Sequence, residues 1–468
     1  MKPFTRTAFL ILCLMALVVK SLDLPSKDDF YDTPSRGDLE KTPGTVLKSR
    51  ELPGTVRFYN MTEPDGDPIN VNPYKKAVQL KFVSTNSKGE RVGAVANVLI
   101  PYNSKVDKVV SFADANVYSN KDCAVSYTMQ KNGADSDIAA ILQRGWTIVQ
   151  PDSKGLDAAL GTNIRGGNII LDSLKAAVSH KAVGVEDNAR IALWSSSFGS
   201  TAVAWAAQSQ PKYAPDLNLV GVAIGSTLVN ISEVLLNVND GPLSYLIPPT
   251  LVGLAKEYPE IDKYFQPEED KEFFSTAKED CTGDLVLQYS DEDIFSELSD
   301  GKEVFSNSAV AKIMNNMTLG SSAPKVPMLV FHGTEDEVAP IESAESTIKK
   351  YCEKGTPSLQ YYRIQGANHS AAGIEAYNLA MSWISDRLDG KTPSDGENKC
   401  NTKAHTTSID SSSAIKVTLA SETPTPSATS TANNEDTSSE NDNAGSFFTP
   451  ASFFTSAILL VFTSSMLF

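Results

Sequence analysis

The sequence predicts an α/β fold, in which a mostly parallel central sheet is covered by helices and interrupted by an inserted helical cap. Three observations carry that expectation. Strand-like and helix-like runs alternate between about residues 75 and 390. Most of the strands are apolar along their whole length, the pattern of a sheet buried on both faces. The alternation breaks once, over about residues 226–322, where the chain reads as amphipathic helices. No short internal repeat is evident.

The elements follow in order. "AVQLKFVS" and "VGAVANVLI" flank the turn "NSKGE" and read as an antiparallel pair. "VDKVVSF" is a buried strand, and "DIAAILQRG" a helix stopped by Gly145. "WTIVQPD" is the next strand, and "NIILDSLKAAVSH" places apolar residues at helical spacing. Strand "ARIALWS", helix "STAVAWAAQ" and strand "LNLVGVAIG" come next. After the interruption stand the strand "VPMLVFHG", the helix "IESAESTIKKYC", the strand "LQYYRIQG" and the helix "AAGIEAYNLAMSWISDRL". The interrupting segment holds "LIPPTLVGLAKEYPEID" and the acidic "PEEDKEFF". Lying between two core strands, it is expected to cap the C-terminal edge of the sheet, where ligands bind in open α/β sheets. Such a cap can supply an apolar pocket.

Both ends depart from this pattern. Lys2 and Arg6 precede an apolar stretch from Ala8 to Val19, and a small residue, Ser21, follows. That is the pattern of a secretory signal peptide over residues 1–21, too short for a membrane span. The globular domain is expected over 22–402. Residues 403–443 are dominated by Ser, Thr, Asn, Asp and Glu with "TPTPS" among them, a composition that cannot bury a core and reads as an extended stalk. Small residues around Asn443, a spacer and the terminal "AILLVFTSSMLF" then match a glycolipid-anchor signal. Residues 444–468 would be removed and Asn443 would carry the anchor. Contact with a membrane is therefore expected through the lipid only.

A secreted chain meets an oxidising compartment. Of five cysteines, Cys13 leaves with the signal, and Cys123, Cys281, Cys352 and Cys400 remain. Four cysteines suggest two disulfides with three connectivities open. No CxxC pair or His/Cys cluster suggests a metal site. The sequons at Asn60, Asn230 and Asn316 fit surface glycosylation. The formal net charge of −16 argues against nucleic acid and anionic membrane surfaces as partners.

The chemistry concentrates at three places. "Ser195-Ser196-Ser197-Phe198-Gly199" follows a strand and opens a helix. It fits the G-x-S-x-G turn of an α/β-hydrolase with Ser197 as nucleophile and Ser195 in place of the first glycine. Neither Ser195 nor Ser196 has glycine two residues later. "VFHGTEDEVAP" puts Asp336 just after a strand, between Glu335 and Glu337, which compete for its role. "RIQGANHSAAG" puts His369 after the next strand. The chain order Ser, Asp, His is that of the α/β-hydrolase fold. His369 would accept the proton of Ser197, and Asp336 would fix the imidazole tautomer. The oxyanion donors expected are the backbone N–H of Phe198 and one from Asp114 or its neighbours. His332, at a strand end, is expected to be structural, and glycosylation at Asn368 would crowd the base.

These residues resemble the fungal secretory lipase family, which includes the secreted Candida lipases and the A-type lipase. The resemblance runs from about Asp29 to Leu388. It takes in "DDFYDTPSRGDLEKTPGTVLKSREL", "KDCAVSY", "PDSKGLDAALGTNIRGGNIILDSLKAA", "LVGLAKEYPEID", "HGTEDEVAP" and "GANHSAA". It implies a triacylglycerol or carboxylic ester hydrolase with a helical cap and no cofactor, and disulfides Cys123–Cys281 and Cys352–Cys400. The chain departs from the family at three points. Asp152-Ser153-Lys154-Gly155 stands where the family has "DYEG", Ser195 replaces a glycine, and bulky Phe198 follows the nucleophile. The expected function is a secreted, surface-anchored serine lipase acting on a lipid or ester substrate. A short-chain carboxylesterase, a peptidase and a non-catalytic cell-wall or adhesion protein on a hydrolase scaffold are the competing readings.

Overall fold

In the computed structural model the residues described are 22–52, 56–62, 68–71, 74–131, 136–265, 273–393, 400 and 405–407. The expected signal peptide, Asn443 and the anchor segment lie outside them, as do the side chain of Asn60 and the stalk beyond residue 407.

The strands are β1 (Val46–Glu51), β2 (Val56–Thr62), β3 (Pro68–Val71), β4 (Lys76–Thr85), β5 (Arg91–Ile100) and β6 (Lys108–Phe112). They continue with β7 (Thr147–Pro151), β8 (Arg190–Ser196), β9 (Leu219–Gly225), β10 (Met328–Gly333), β11 (Leu359–Ile364) and β12 (His405–Thr407). Ten of them form one sheet in the order β1-β4-β5-β7-β6-β8-β9-β10-β11-β12, and β2 and β3 pair separately. The pairs among β1, β4, β5 and β7 are antiparallel, and every pair from β7 through β12 is parallel. This is the mostly parallel α/β sheet that the alternation predicts. The β4–β5 hairpin runs in unbroken register from Lys76↔Ile100 to Thr85↔Arg91.

Each face of the sheet is covered. The helices Asn163–Ser179 and Ser197–Tyr213 bury Ile170, Leu174, Val203 and Ala206 against one face. Ser136–Gln143 and His369–Leu388 bury Ile141, Tyr377 and Ile384 against the other. Burial of each large apolar side chain stabilises the fold by roughly 1.5–3 kcal/mol. Trp194 of β8 ties the second face together. Its ring lies 5.9 Å from those of Phe331 and Tyr377, and its Nε1–H donates to Asp137 Oδ2 at 3.3 Å.

Between β9 and β10 the chain builds a helical cap, with Ile231–Val238, Ile247–Glu257, Thr282–Tyr289 and Ser308–Asn316 as its longer helices. The cap has its own apolar cluster, including Leu235, Leu251, Leu285 and Val310. Val117, Leu160, Phe198 and Val338 join that cluster. These four follow β6, β7, β8 and β10, so the cap rests on the C-terminal edge of the sheet. Disulfides join Cys123 to Cys281 and Cys352 to Cys400. The first links the segment after β6 to the cap. The second holds the chain before β12 on the helix Ile341–Glu353.

Beyond the expected domain boundary at residue 402, β12 pairs with β11 in parallel over Tyr362↔His405 to Ile364↔Thr407. Among the described residues no helix is long and apolar enough to cross a membrane.

Candidate active site

β8 is apolar from Ile191 to Trp194, and after Ser196 the chain turns sharply into the helix that begins at Ser197. Ser197 has φ +55°, a left-handed conformation that a non-glycine residue adopts only when its surroundings enforce it. Gly199 explains the tightness. A Cβ there would lie 2.5 Å from the Ala113 carbonyl oxygen and 2.8 Å from that of Asp114. Only glycine lets the helix start approach the segment after β6 this closely.

Ser197 Oγ lies 2.8 Å from His369 Nε2. His369 Nδ1 lies 2.8 and 2.9 Å from Asp336 Oδ1 and Oδ2. A carboxylate only accepts, so Nδ1 carries the ring hydrogen and Nε2 accepts from the serine. Asp336 Oδ1 also accepts the backbone N–H groups of Val338 at 3.0 Å and Ala339 at 2.8 Å. Burial pulls the Asp336 carboxyl upward, but the His369 hydrogen bond and nearby imidazoles outweigh it and hold it below its ordinary value. It is thus a carboxylate at neutral pH.

The neighbouring acids and histidines divide as their contacts dictate. Glu337 Oε2 accepts the backbone N–H of His369 at 2.9 Å, and Glu335 is exposed. His332 is buried; its Nε2 faces Ala339 O at 2.8 Å and Asp336 Oδ2 at 3.2 Å. Burial lowers its pKa, so it meets Asp336 as a neutral donor. Asn368 caps the helix His369–Leu388, its side chain accepting from Ala371 N. Asn230 likewise caps Ile231–Val238, whereas Asn316 is exposed at the end of Ser308–Asn316.

Phe198 is the second residue of its helix, where backbone N–H groups have no partner within the helix. Its ring is buried among cap residues. Asp114 lies across the turn, 1 % exposed. Three contacts in the site have no signal in the sequence. Ser195 Oγ donates to Ala113 O at 2.7 Å. Lys154 Nζ lies 3.1 and 3.3 Å from the Asp114 carboxylate oxygens. Ser226 Oγ donates to His369 O at 3.2 Å. The Ser195 and Lys154 positions are visible as departures from a family pattern, but what they touch is not. Asp114, Lys154, Leu160, Asn163, Phe198 and Ala202 line a cavity of about 20 Å³, and a larger one of about 220 Å³ lies in the cap beside Leu251, Phe265 and Phe274. Among the described residues no group of His, Cys, Asp and Glu could hold a metal ion.

A strand–turn–helix serine beside a carboxylate-anchored imidazole is an arrangement suited to acyl transfer. The family model describing secretory lipases matches residues 119–396. Lipase A of Arthroderma benhamiae is 31% identical over 392 residues, covering 80% of this chain and 81% of that one. Lipase 2 of Candida albicans is 32% identical, covering 79% and 82%. The crystal structure of Candida antarctica lipase A superposes with a TM-score of 0.73 at 25% identity, over 83% of this chain and 90% of that one. A rice cell wall degrading esterase from Xanthomonas oryzae, at 16% identity and a TM-score of 0.57, shares the fold.

Proposed function

Because the chain belongs to the secretory lipase family, and is on that ground an ester hydrolase, we propose that it cleaves triacylglycerols through Ser197, His369 and Asp336. The observation that carries the proposal is the hydrogen-bonded line from Ser197 Oγ through the His369 ring to Asp336.

Ser197 Oγ attacks the ester carbonyl while His369 Nε2 takes its proton. Asp336 holds the imidazole in the tautomer that accepts there and stabilises the imidazolium that forms. The tetrahedral oxyanion receives hydrogen bonds from the N–H of Phe198 and from the segment at Asp114. His369 returns the proton to the leaving alcohol. Water then attacks the acyl-enzyme by the same route, releasing the carboxylic acid and restoring Ser197. Ser197 and His369 are 6 % and 3 % exposed, so a triacylglycerol reaches them by displacement of the cap.

Short-chain esters are the second reading, favoured by the small cavity that Phe198 lines next to the nucleophile turn. The test compares hydrolysis of emulsified triolein and of soluble short-chain esters by wild type and Ser197→Ala. Wild-type cleavage of triolein, abolished in the variant, is the expected result. Activity on short esters alone selects the second reading, and activity on neither overturns both. The amino-terminal and carboxy-terminal patterns support secretion and retention at the cell surface by a glycolipid on Asn443. Release of the protein from cells by a phosphatidylinositol phospholipase tests that retention.

A further inference from the structure

Negative charge develops on the ester oxygen during the proposed reaction, and the chain places a buried carboxylate beside it. Asp114 is 1 % exposed and immediately follows Ala113, whose carbonyl is pressed against the nucleophile turn. An uncompensated anion at that place would oppose the oxyanion, most strongly where water is excluded. Lys154 supplies the compensation. Its side chain is 6 % exposed, its ammonium contacts both Asp114 oxygens, and it lies 4.5 Å over the Tyr118 ring. Asp114 Oδ1 also accepts Asn116 N–H at 2.9 Å, which folds the loop over its own side chain. Ser195 fastens the same segment from the other side through Ala113 O. Two departures from the family pattern, Lys154 for an acid and Ser195 for a glycine, thus act on one stretch of backbone.

We propose that Lys154 is a positioning residue for the reaction: its ammonium neutralises the buried Asp114 carboxylate and holds residues 113–116 in the geometry that completes the oxyanion site. The inference rests on the Ser197 mechanism above. The titratable groups facing Asp114 are Lys154 and, further off, Asp152, both from the segment after β7, and Tyr118 from its own loop. The turn from Ser195 to Gly199 contributes none.

The experiment uses the whole chain and a soluble short-chain nitrophenyl ester, comparing wild type, Lys154→Met and Lys154→Met/Asp114→Asn. The side-chain amide introduced by Asp114→Asn can still accept the Asn116 N–H, so the double variant removes the charge pair and keeps the turn. For Lys154→Met, kcat is expected to fall about 10²-fold at pH 8 with KM little changed, the size of effect that a misplaced catalytic geometry produces. The double variant recovers most of kcat. Wild-type kcat in Lys154→Met overturns the proposal. So does a double variant no better than the single one, because the loss then does not come from the unpaired Asp114 charge. Should Lys154→Met not accumulate as folded protein, the double variant decides against wild type: kcat within about tenfold supports the role, and a loss near 10²-fold overturns it. A wild-type protein without esterase activity overturns the mechanism itself, which separates that failure from one confined to Lys154.

Discussion

Asp152 shows how a single enclosed carboxyl sets a pH dependence of stability. It lies one residue beyond β7, 2 % exposed, and accepts the Ser126 N–H at 2.9 Å as well as the Ser126 hydroxyl. Burial pushes its pKa up to about 7, with the Asp114 charge adding to the rise and the Ser126 hydrogen bonds and Lys154 opposing it. In the unfolded chain it titrates near 3.8. Between those values the native state holds the proton and the unfolded state does not, so stability falls as pH rises, by about 1.4 kcal/mol per unit. The contribution is complete below the unfolded value and gone above about 7. Asp152→Asn removes this dependence. Its stability relative to wild type is therefore expected to rise from pH 4.5 to 7.5 in denaturant titrations, and a difference constant across that range would sink the assignment. Residues of this kind mark a limit of sequence reading. Ser197, Asp336 and His369 each stand in a local pattern that announces them. Asp114 and Lys154 are separated by 40 residues, and nothing local to either reveals that one neutralises the other.

Two elements meet closely where the cap helix Ile247–Glu257 crosses the segment after β7. Gly253 faces Leu160 so tightly that a Cβ would lie 2.3 Å from both the Leu160 nitrogen and its carbonyl oxygen. These are backbone atoms, which cannot swing aside. In an exposed helix, alanine would be favoured over glycine by about 0.5–1 kcal/mol. Here Gly253→Ala is expected to destabilise by about 1–3 kcal/mol through overpacking. Leu160 also lines the cavity with Phe198 and Asp114, so displacement of this helix should lower ester hydrolysis as well. Unchanged unfolding and unchanged turnover together would show that the helix shifts without cost. The same contrast of local and distant causes explains which elements were legible. β6 through β10 are largely apolar runs buried along most of their length, and they lie where the sequence pattern puts them. β1 reads "VLKSRE", a charged edge strand with one partner in the sheet. β12 is three residues long and is seated on β11 just after the Cys352–Cys400 link. Neither has a pattern of its own to find.

At the scale of the whole molecule, sheet and cap have separate apolar clusters, so their cooperativity depends on what joins them. The links include the apolar seam at Val117, Leu160, Phe198 and Val338, the buried Arg165–Glu257 ion pair at 3.1 Å, hydrogen bonds from Thr282 to Val117 O and from Lys256 to Asp157 O, and the Cys123–Cys281 disulfide. The disulfide spans 158 residues and the Cys352–Cys400 bond spans 48. In the chain-entropy treatment these lengths correspond to about 5 and about 4 kcal/mol. The two bonds nevertheless act on different parts. Cys352–Cys400 closes a loop at the sheet edge, and its removal should lower the temperature of unfolding while activity and Trp194 fluorescence are lost together. Cys123–Cys281 restrains the cap against the segment that carries Asp114. Without it only non-covalent contacts hold the cap, and it can open before the sheet melts. Heating Cys123→Ser/Cys281→Ser is therefore expected to abolish ester hydrolysis several degrees below the loss of tryptophan signal, whereas in wild type the two coincide. Coincident loss in that variant would mean that the non-covalent contacts make cap and sheet one cooperative unit, and that the disulfide adds stability without coupling them.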